Sequence, residues 1–98
     1  MDLTIELTVF MEGIREDPRI GPSHISLFIA ILQYWQEHEC PHPICAFGKE
    51  LMQLEKISAS GTYHRNIRDL HEYGYIKYIP SYNHFLGSLI YLSSNEVV

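Results

Sequence analysis

Hydrophobic residues at the start of the chain recur with the spacing of an α-helix. Five of them fall on one helical stripe, at i, i+4, i+7, i+8 and i+11: Leu3, Leu7, Phe10, Met11 and Ile14. Ile5 and Val9 also alternate with Leu3 and Leu7, which would suit a strand, but the stripe continues past this alternation to Ile14. We therefore predict a helix over residues 3–14. Residues 15–22 contain two prolines and a glycine, so we interpret them as a linker.

The next periodic segment predicts a helix that starts at Pro22 or Ser23 and runs to about Glu39. Ser23 is the expected N-cap, because serine side chains accept hydrogen bonds from free backbone amides. This helix has two apolar faces, the first formed by Ile25, Phe28, Ile29, Leu32 and Trp35 and the second by Leu27, Ile31 and Tyr34. A helix that is apolar on two sides must be buried on two sides. We expect the second cover to be the N-terminal helix, another subunit, or both.

The remaining pattern alternates short extended pieces with helices. Residues 43–47 predict a short strand, residues 48–55 a third helix and residues 60–73 a fourth, with Gly74 as the stop signal. The period then changes to two. Residues 75–79 and 88–92 are β-branched and aromatic runs joined by a turn-forming loop, so they predict a β-hairpin.

These elements resemble the winged helix-turn-helix family over roughly residues 22–92. The stretches FGKELMQLEKISASGTYHRNIRDLHEYGYI and YIKYIPSYNHFLGSLIYL are similar to its paired helices and its hairpin wing. The resemblance implies an α+β, mainly helical fold with an extra N-terminal helix. In a chain of 98 residues this is one compact domain, with residues 1–21 as a dimerising helix and linker and residues 22–98 as the winged domain.

The resemblance also implies sequence-specific binding of double-stranded DNA through residues 60–73. With Ile67 at the centre of the buried face, Thr62, Arg65 and Asp69 point outward and Asn66 lies on a flank. Arginine pairs with guanine and asparagine with adenine in the major groove. The predicted DNA contacts are Ser60, Thr62, His64, Arg65, Asn66 and Arg68 on the helix, with Lys56, Lys77, Tyr82, Asn83 and His84 nearby. Polar residues also face outward on any surface helix, and Arg65 with Asp69 is also an ordinary i, i+4 pair.

The charge pattern divides the chain into an acidic front and a basic rear. The formal net charge of −5 argues against a general polyanion binder. Five of the seven basic residues nevertheless fall within one stretch: Lys49, Lys56, Arg65, Arg68 and Lys77. The main expectation is a bacterial transcriptional regulator. The alternatives are a winged-helix module that binds protein, and an accessory factor for replication or excision of a mobile element.

The N-terminal helix and the two-sided second helix resemble the dimerisation arrangement of MarR-type and PadR-type regulators. This resemblance implies a homodimer, which would let two weak half-sites act together on DNA. The predicted dimer interface is Leu3, Leu7, Phe10, Met11, Ile14, Leu27, Ile31 and Tyr34.

Metal binding and catalysis have weak signals. His38, Cys40, His42 and Cys45 are four potential zinc ligands, but their spacing is not a standard zinc pattern, so we predict a surface loop with no metal and no cofactor. No phosphate loop or nucleophile motif is present, and we expect no enzyme activity. Two closely spaced cysteines indicate a cytoplasmic location. The most apolar window, residues 25–35, has about half the length of a membrane span.

Overall fold

The computed structural model describes residues 3–56, 60–81 and 86–92, except for the side chains of Leu3, Glu55 and Ser60. Within these residues the chain forms four helices and one three-stranded antiparallel sheet, so the predicted α+β, mainly helical class is confirmed. The elements are α1 (Leu3–Ile14), α2 (Pro22–Glu37), β1 (Ile44–Ala46), α3 (Gly48–Glu55), α4 (Ser60–Glu72), β2 (Ile76–Ile79) and β3 (Ser88–Leu92). Tyr82, Asn83 and His84, the DNA contacts predicted in the hairpin loop, lie outside the described residues.

The start of α2 differs from the prediction by one position. Gly21 is the N-cap in an extended conformation, and Pro22, whose fixed φ suits the first helical position, begins the helix. The backbone N–H of Gly21 donates to Nδ1 of His24 at 3.0 Å. Ser23 Oγ instead donates to Oδ1 of Asn66 at 3.4 Å. The prediction of Ser23 as N-cap is therefore wrong, because the helix begins one residue before it.

The core is built around α2. Leu27, Ile31 and Trp35 have no exposed surface, and α2 packs against α1, α3 and α4. The two-sided burial predicted for this helix is thus supplied within one chain. Leu27, Ile31 and Tyr34, predicted at the dimer interface, are buried in the core of the monomer, so this part of the interface prediction is wrong.

α1 is attached to this core mainly through one aromatic side chain. The ring of Phe10 stacks on Phe28 with 3.8 Å between the centroids, and the edge of Tyr75 approaches it at 5.4 Å. Only 3% of Phe10 is exposed. Phe10 therefore belongs to the monomer core and not to the dimer interface for which it was predicted.

The sheet has the order β1-β3-β2 with β3 in the centre. The predicted hairpin is confirmed by antiparallel pairing of β2 with β3, in which Tyr78 faces Ile90. β1 pairs with the other edge of β3, where Ile44 faces Ile90. Gly87 permits close approach of the two chains, since a Cβ there would lie 3.0 Å from the carbonyl oxygen of Ala46. Gly74, at φ 88°, ends α4 as predicted and directs the chain into β2.

Candidate nucleic-acid interface

The buried face of α4 is rotated relative to the sequence prediction. Tyr63, Asn66, Ile67 and Leu70 are all at most 3% exposed. The centre of this face lies about 50° from Ile67, toward Asn66 and Leu70, at about 100° per residue. Asn66 is consequently interior, with its side chain against Ser23 of α2. The prediction that Asn66 contacts DNA is wrong, because a buried polar residue was taken for a surface one.

The same rotation moves Asp69 to the flank that faces α2. Its Oδ2 lies 2.8 Å from Nε2 of His24, which is 8% exposed. Because Nδ1 of His24 accepts a hydrogen bond from the Gly21 N–H, the proton of the imidazole is on Nε2 and is donated to Asp69. The carboxylate of Asp69 is thus engaged within the fold. Thr62, a predicted DNA contact, is half-buried on this flank.

The outward face of α4 carries two exposed arginines. Arg65 and Arg68 lie there with Gly61 toward the helix start and Glu72 at its end, and all four are exposed. A Cβ added at Gly61 would meet no atom within 4 Å, so packing within the chain does not require glycine at this position. The structure therefore brings together the two arginines predicted from sequence.

A groove of about 970 Å³ separates α4 from the start of α3 and from the hairpin. We call it the α4–hairpin groove. Four basic side chains line it: Lys49, His64, Arg68 and His71. Sequence reasoning placed His64 and Arg68 at the DNA interface but missed Lys49 and His71. The available signal was their inclusion in the basic stretch, but their convergence depends on how α3 and α4 pack.

Two contacts define the walls of the α4–hairpin groove. The backbone N–H of Tyr78 donates to Nδ1 of His71 at 3.0 Å, which ties the end of α4 to β2. Glu50 is the acidic residue among the described groove residues. Burial, with the nearby Glu50 carboxylate, raises the pKa of Tyr34, so this negative charge lies beside a core hydroxyl.

The other predicted DNA contacts are scattered. Lys56 is exposed at the C-cap of α3, in a left-handed conformation. Lys77 is exposed on β2, with its ammonium 5.6 Å from the centre of the Tyr91 ring on β3. The side chain of Ser60 lies outside the described part. The described cations nearest to a common surface are thus those on α4 and at the start of α3.

The loop after α2 does not assemble the possible zinc ligands. α2 ends at Glu37, earlier than predicted, because Glu39 and Cys40 take left-handed conformations at φ 65° and 56°. His38 stacks on Tyr34, with its Nδ1 2.8 Å from the Tyr34 carbonyl oxygen. Among the described residues, which include His38, Cys40, His42 and Cys45, no three His, Cys, Asp or Glu side chains are arranged to hold a metal ion.

The remaining predicted interface residues lie on the surface of α1. Leu7 and Met11 are 36% and 45% exposed, and Ile14 is half-buried. The side chain of Leu3 is outside the described part. Two apolar residues that the prediction omitted, Ile5 and Val9, are 58% and 46% exposed. Exposed apolar side chains therefore continue on both sides of the attached face of α1.

A polar clamp connects the α1–α2 linker to the end of α4. Arg19 pairs with Asp17 through Nε at 2.8 Å and Nη2 at 2.9 Å, and its guanidinium lies 4.0 Å from the centre of the Tyr73 ring. The hydroxyl of Tyr75 donates to Asp17 at 2.5 Å. The hydrogen bonds from Arg19 and Tyr75 hold the pKa of Asp17 well below its usual value of 3.8. Burial and the bond to Asp17 raise the pKa of Tyr75 to about 12.

We expect Asp17→Asn to lower the melting temperature at neutral pH, because the folded state loses the bond from a charged carboxylate to Arg19. A carboxyl group whose pKa is depressed on folding stabilises the protein above its unfolded pKa, here 3.8, and loses that effect as the pH falls further. The difference between wild type and Asp17→Asn should therefore be full at pH 6 and shrink below about pH 4. Thermal unfolding across this range measures it, with Glu16→Gln as the exposed neighbouring control. A difference independent of pH would contradict the role of the Asp17 charge.

No helix among the described residues is long and apolar enough to cross a membrane. The function proposed for the chain therefore rests on its own geometry. Comparison of the chain with protein-family models, with curated proteins and with solved structures finds no match.

Proposed function

We propose that the chain is a cytoplasmic bacterial DNA-binding protein of the winged helix-turn-helix type, a transcriptional regulator that contacts duplex DNA through α4. The observation that carries this proposal is the outward face of α4, where Arg65 and Arg68 are exposed together while Asp69 is held on another flank by His24. An arginine can bind guanine O6 and N7, or a phosphate, through two parallel hydrogen bonds. Gly61, on the same face, leaves space for close approach of a nucleic-acid backbone.

The architecture supports this proposal. The hairpin of β2 and β3 stands beside α4, and the sheet order β1-β3-β2 resembles the arrangement in which a hairpin wing flanks a recognition helix. Lys49 at the start of α3 and His71 at the end of α4 add cations to the groove between helix and hairpin. These positions suit phosphate contacts on either side of an inserted helix.

The net charge of −5 weakens the case less than its size suggests. Asp17 is paired with Arg19, Asp69 accepts from His24, and Glu6 is only 6% exposed. Each of these carboxylates is directed away from the outward face of α4 or held within the fold. Glu72, exposed at the C-terminal end of that face, is the acidic group that insertion of the helix by its N-terminal half would keep away from DNA.

Fluorescence anisotropy with a labelled random duplex of about 20 base pairs, long enough for two half-sites, tests the proposal. We expect binding at roughly 50 mM salt, and an affinity lower on the order of 100-fold at roughly 200 mM, because a few neutralised phosphates release their counterions. Absence of binding at the lower salt would contradict DNA binding. The acidic net charge would then favour the second candidate function, a module that binds protein.

We propose further that the chain acts as a homodimer through the exposed apolar surface of α1. Ile5, Val9 and Met11 are each at least 45% exposed, and beside them Leu7 and Ile25 line a groove of about 590 Å³ between α1 and α2. The helix is about 18 Å long, so two copies could bury a continuous apolar strip. This surface differs from the predicted one by excluding Phe10 and the residues of α2.

We expect Val9→Glu to convert the dimer to a monomer, since the new carboxylate would be desolvated against an apolar partner. Light scattering after size-exclusion chromatography should give twice the chain mass for the wild type and the chain mass for the variant. Gln53→Glu, which adds the same charge on the exposed surface of α3, is the matched control and should stay dimeric. A monomeric wild type at all concentrations would refute the homodimer.

A further inference from the structure

A second groove, which we call the α3–α4 groove, lies between α3 and the first half of α4 and has a volume of about 590 Å³. It adjoins the α4–hairpin groove but is lined mainly by the outer side of α3. Its side chains come from both helices: Lys49, Met52, Gln53 and Lys56 from α3, with Tyr63 and His64 from α4. The volume falls in the range of sites that bind ligands or short protein segments.

The floor of the α3–α4 groove is apolar. Tyr63 is 2% exposed and presents its ring beside Gly48, where an added Cβ would lie 2.9 Å from Cε2 of the ring. Glycine at the start of α3 therefore allows the helix to approach the aromatic ring closely. Met52, half-buried, continues the floor along α3 with a flexible thioether side chain that adapts to different partners.

The rim of the same groove is basic. Lys49 and Lys56 are exposed at the two ends of α3, about 10 Å apart along the helix axis, and His64 is exposed on the opposite wall. None of the described residues that line the groove is acidic. An occupant with acidic groups about two helical turns apart would match both lysines.

We propose that the α3–α4 groove is a docking site for an acidic amphipathic helix of a partner protein. Such a helix places carboxylates at i and i+7, which spans the distance between Lys49 and Lys56, and apolar side chains at i+3 and i+4 between them. The apolar residues would pack on Met52 and Tyr63. Helices that lay one apolar face into a groove are a recurring mode of protein recognition.

The combination of floor and rim favours this occupant over a DNA strand or an unstructured acidic peptide. A phosphate backbone uses the lysines but has no apolar face to place on Met52 and Tyr63. A charged peptide without apolar residues gains only exposed, salt-screened pairs at the rim. An acidic amphipathic helix uses both parts of the groove.

The test measures binding of a labelled synthetic helix by anisotropy against the full chain. The probe is a peptide of about 18 residues, long enough to be helical, with leucines on one face flanked by glutamates seven positions apart. We expect saturable binding to the wild type. Met52→Gln should weaken it about tenfold by removing apolar contact, and combined Lys49→Gln and Lys56→Gln about fivefold by removing two rim charges.

The controls separate docking from general charge attraction. Arg15→Gln removes an exposed positive charge that is not among the groove residues, and it should bind the peptide as the wild type does. A peptide with serines in place of the leucines, at the same charge, should not bind. Equal binding of the serine peptide, an equal loss in Arg15→Gln, or no saturable binding to the wild type would overturn the proposal. Thermal unfolding confirms that each variant is folded.

This inference does not rest on the proposed DNA binding. The peptide and the random duplex are measured separately, so either activity can fail while the other stands. His64 and Lys49 line both grooves, so we expect excess peptide to displace DNA where both bind.

Discussion

Replacing both Arg65 and Arg68 by alanine is expected to lower the affinity for random duplex DNA by about 100-fold at roughly 50 mM salt. Each arginine that neutralises a phosphate contributes about one unit to the salt slope, so the double variant should also show a slope reduced by about two units per protomer. Both side chains are exposed, and their replacement should leave the core intact. Anisotropy titrations at several salt concentrations give the affinity and the slope together.

The single variants distinguish a phosphate contact from a base contact. Loss of a phosphate contact weakens binding to all sequences alike, whereas loss of a bidentate guanine contact costs about 1–3 kcal/mol and relaxes sequence preference. Arg15→Ala, which removes an exposed charge in the α1–α2 linker, is the matched control. If Arg15→Ala and the double variant reduce affinity equally per charge removed, the outward face of α4 does not form the DNA interface.

Asn66 shows why sequence periodicity located α4 but not its surface. Periodicity finds the helix because apolar residues recur every three to four positions, and Tyr63, Ile67 and Leu70 do so. The rotation of the helix about its own axis is less well determined, since a polar residue at the edge of the stripe could face either way. Ser23, forty-three positions earlier, provides the partner that allows Asn66 to be buried. Such a long-range contact has no local signature.

The role of His24 was missed for a similar reason. A histidine in the first turn of a helix is unremarkable in sequence, and Asp69 was counted against DNA binding because it was expected to face outward. The hydrogen bond between His24 and Asp69 depends on the packing of α2 against α4. The pairing of β1 with β3 also exceeds what the sequence can specify, because a strand of three residues carries almost no register information.

Phe10→Ala is expected to lower the free energy of unfolding by about 3–4 kcal/mol, a large share of the 5–15 kcal/mol typical of a single domain. Phe10 is 3% exposed, stacks on Phe28 and meets the edge of Tyr75, so its removal leaves a cavity between α1 and α2. Its neighbour Val9 is 46% exposed, and Val9→Ala should change the stability by no more than about 0.5 kcal/mol. Two adjacent positions on one helix thus have opposite expected effects.

Urea unfolding in the Val9→Glu background, expected to be monomeric, separates this core role from dimerisation. In a monomer the unfolding midpoint is independent of protein concentration, so any loss caused by Phe10→Ala is a loss within one chain. Had Phe10 served the dimer interface, as the helical stripe predicted, this variant would have little effect in the monomeric background. A difference below about 1 kcal/mol there would return Phe10 to the interface and would mean that α1 is held to the core by other contacts.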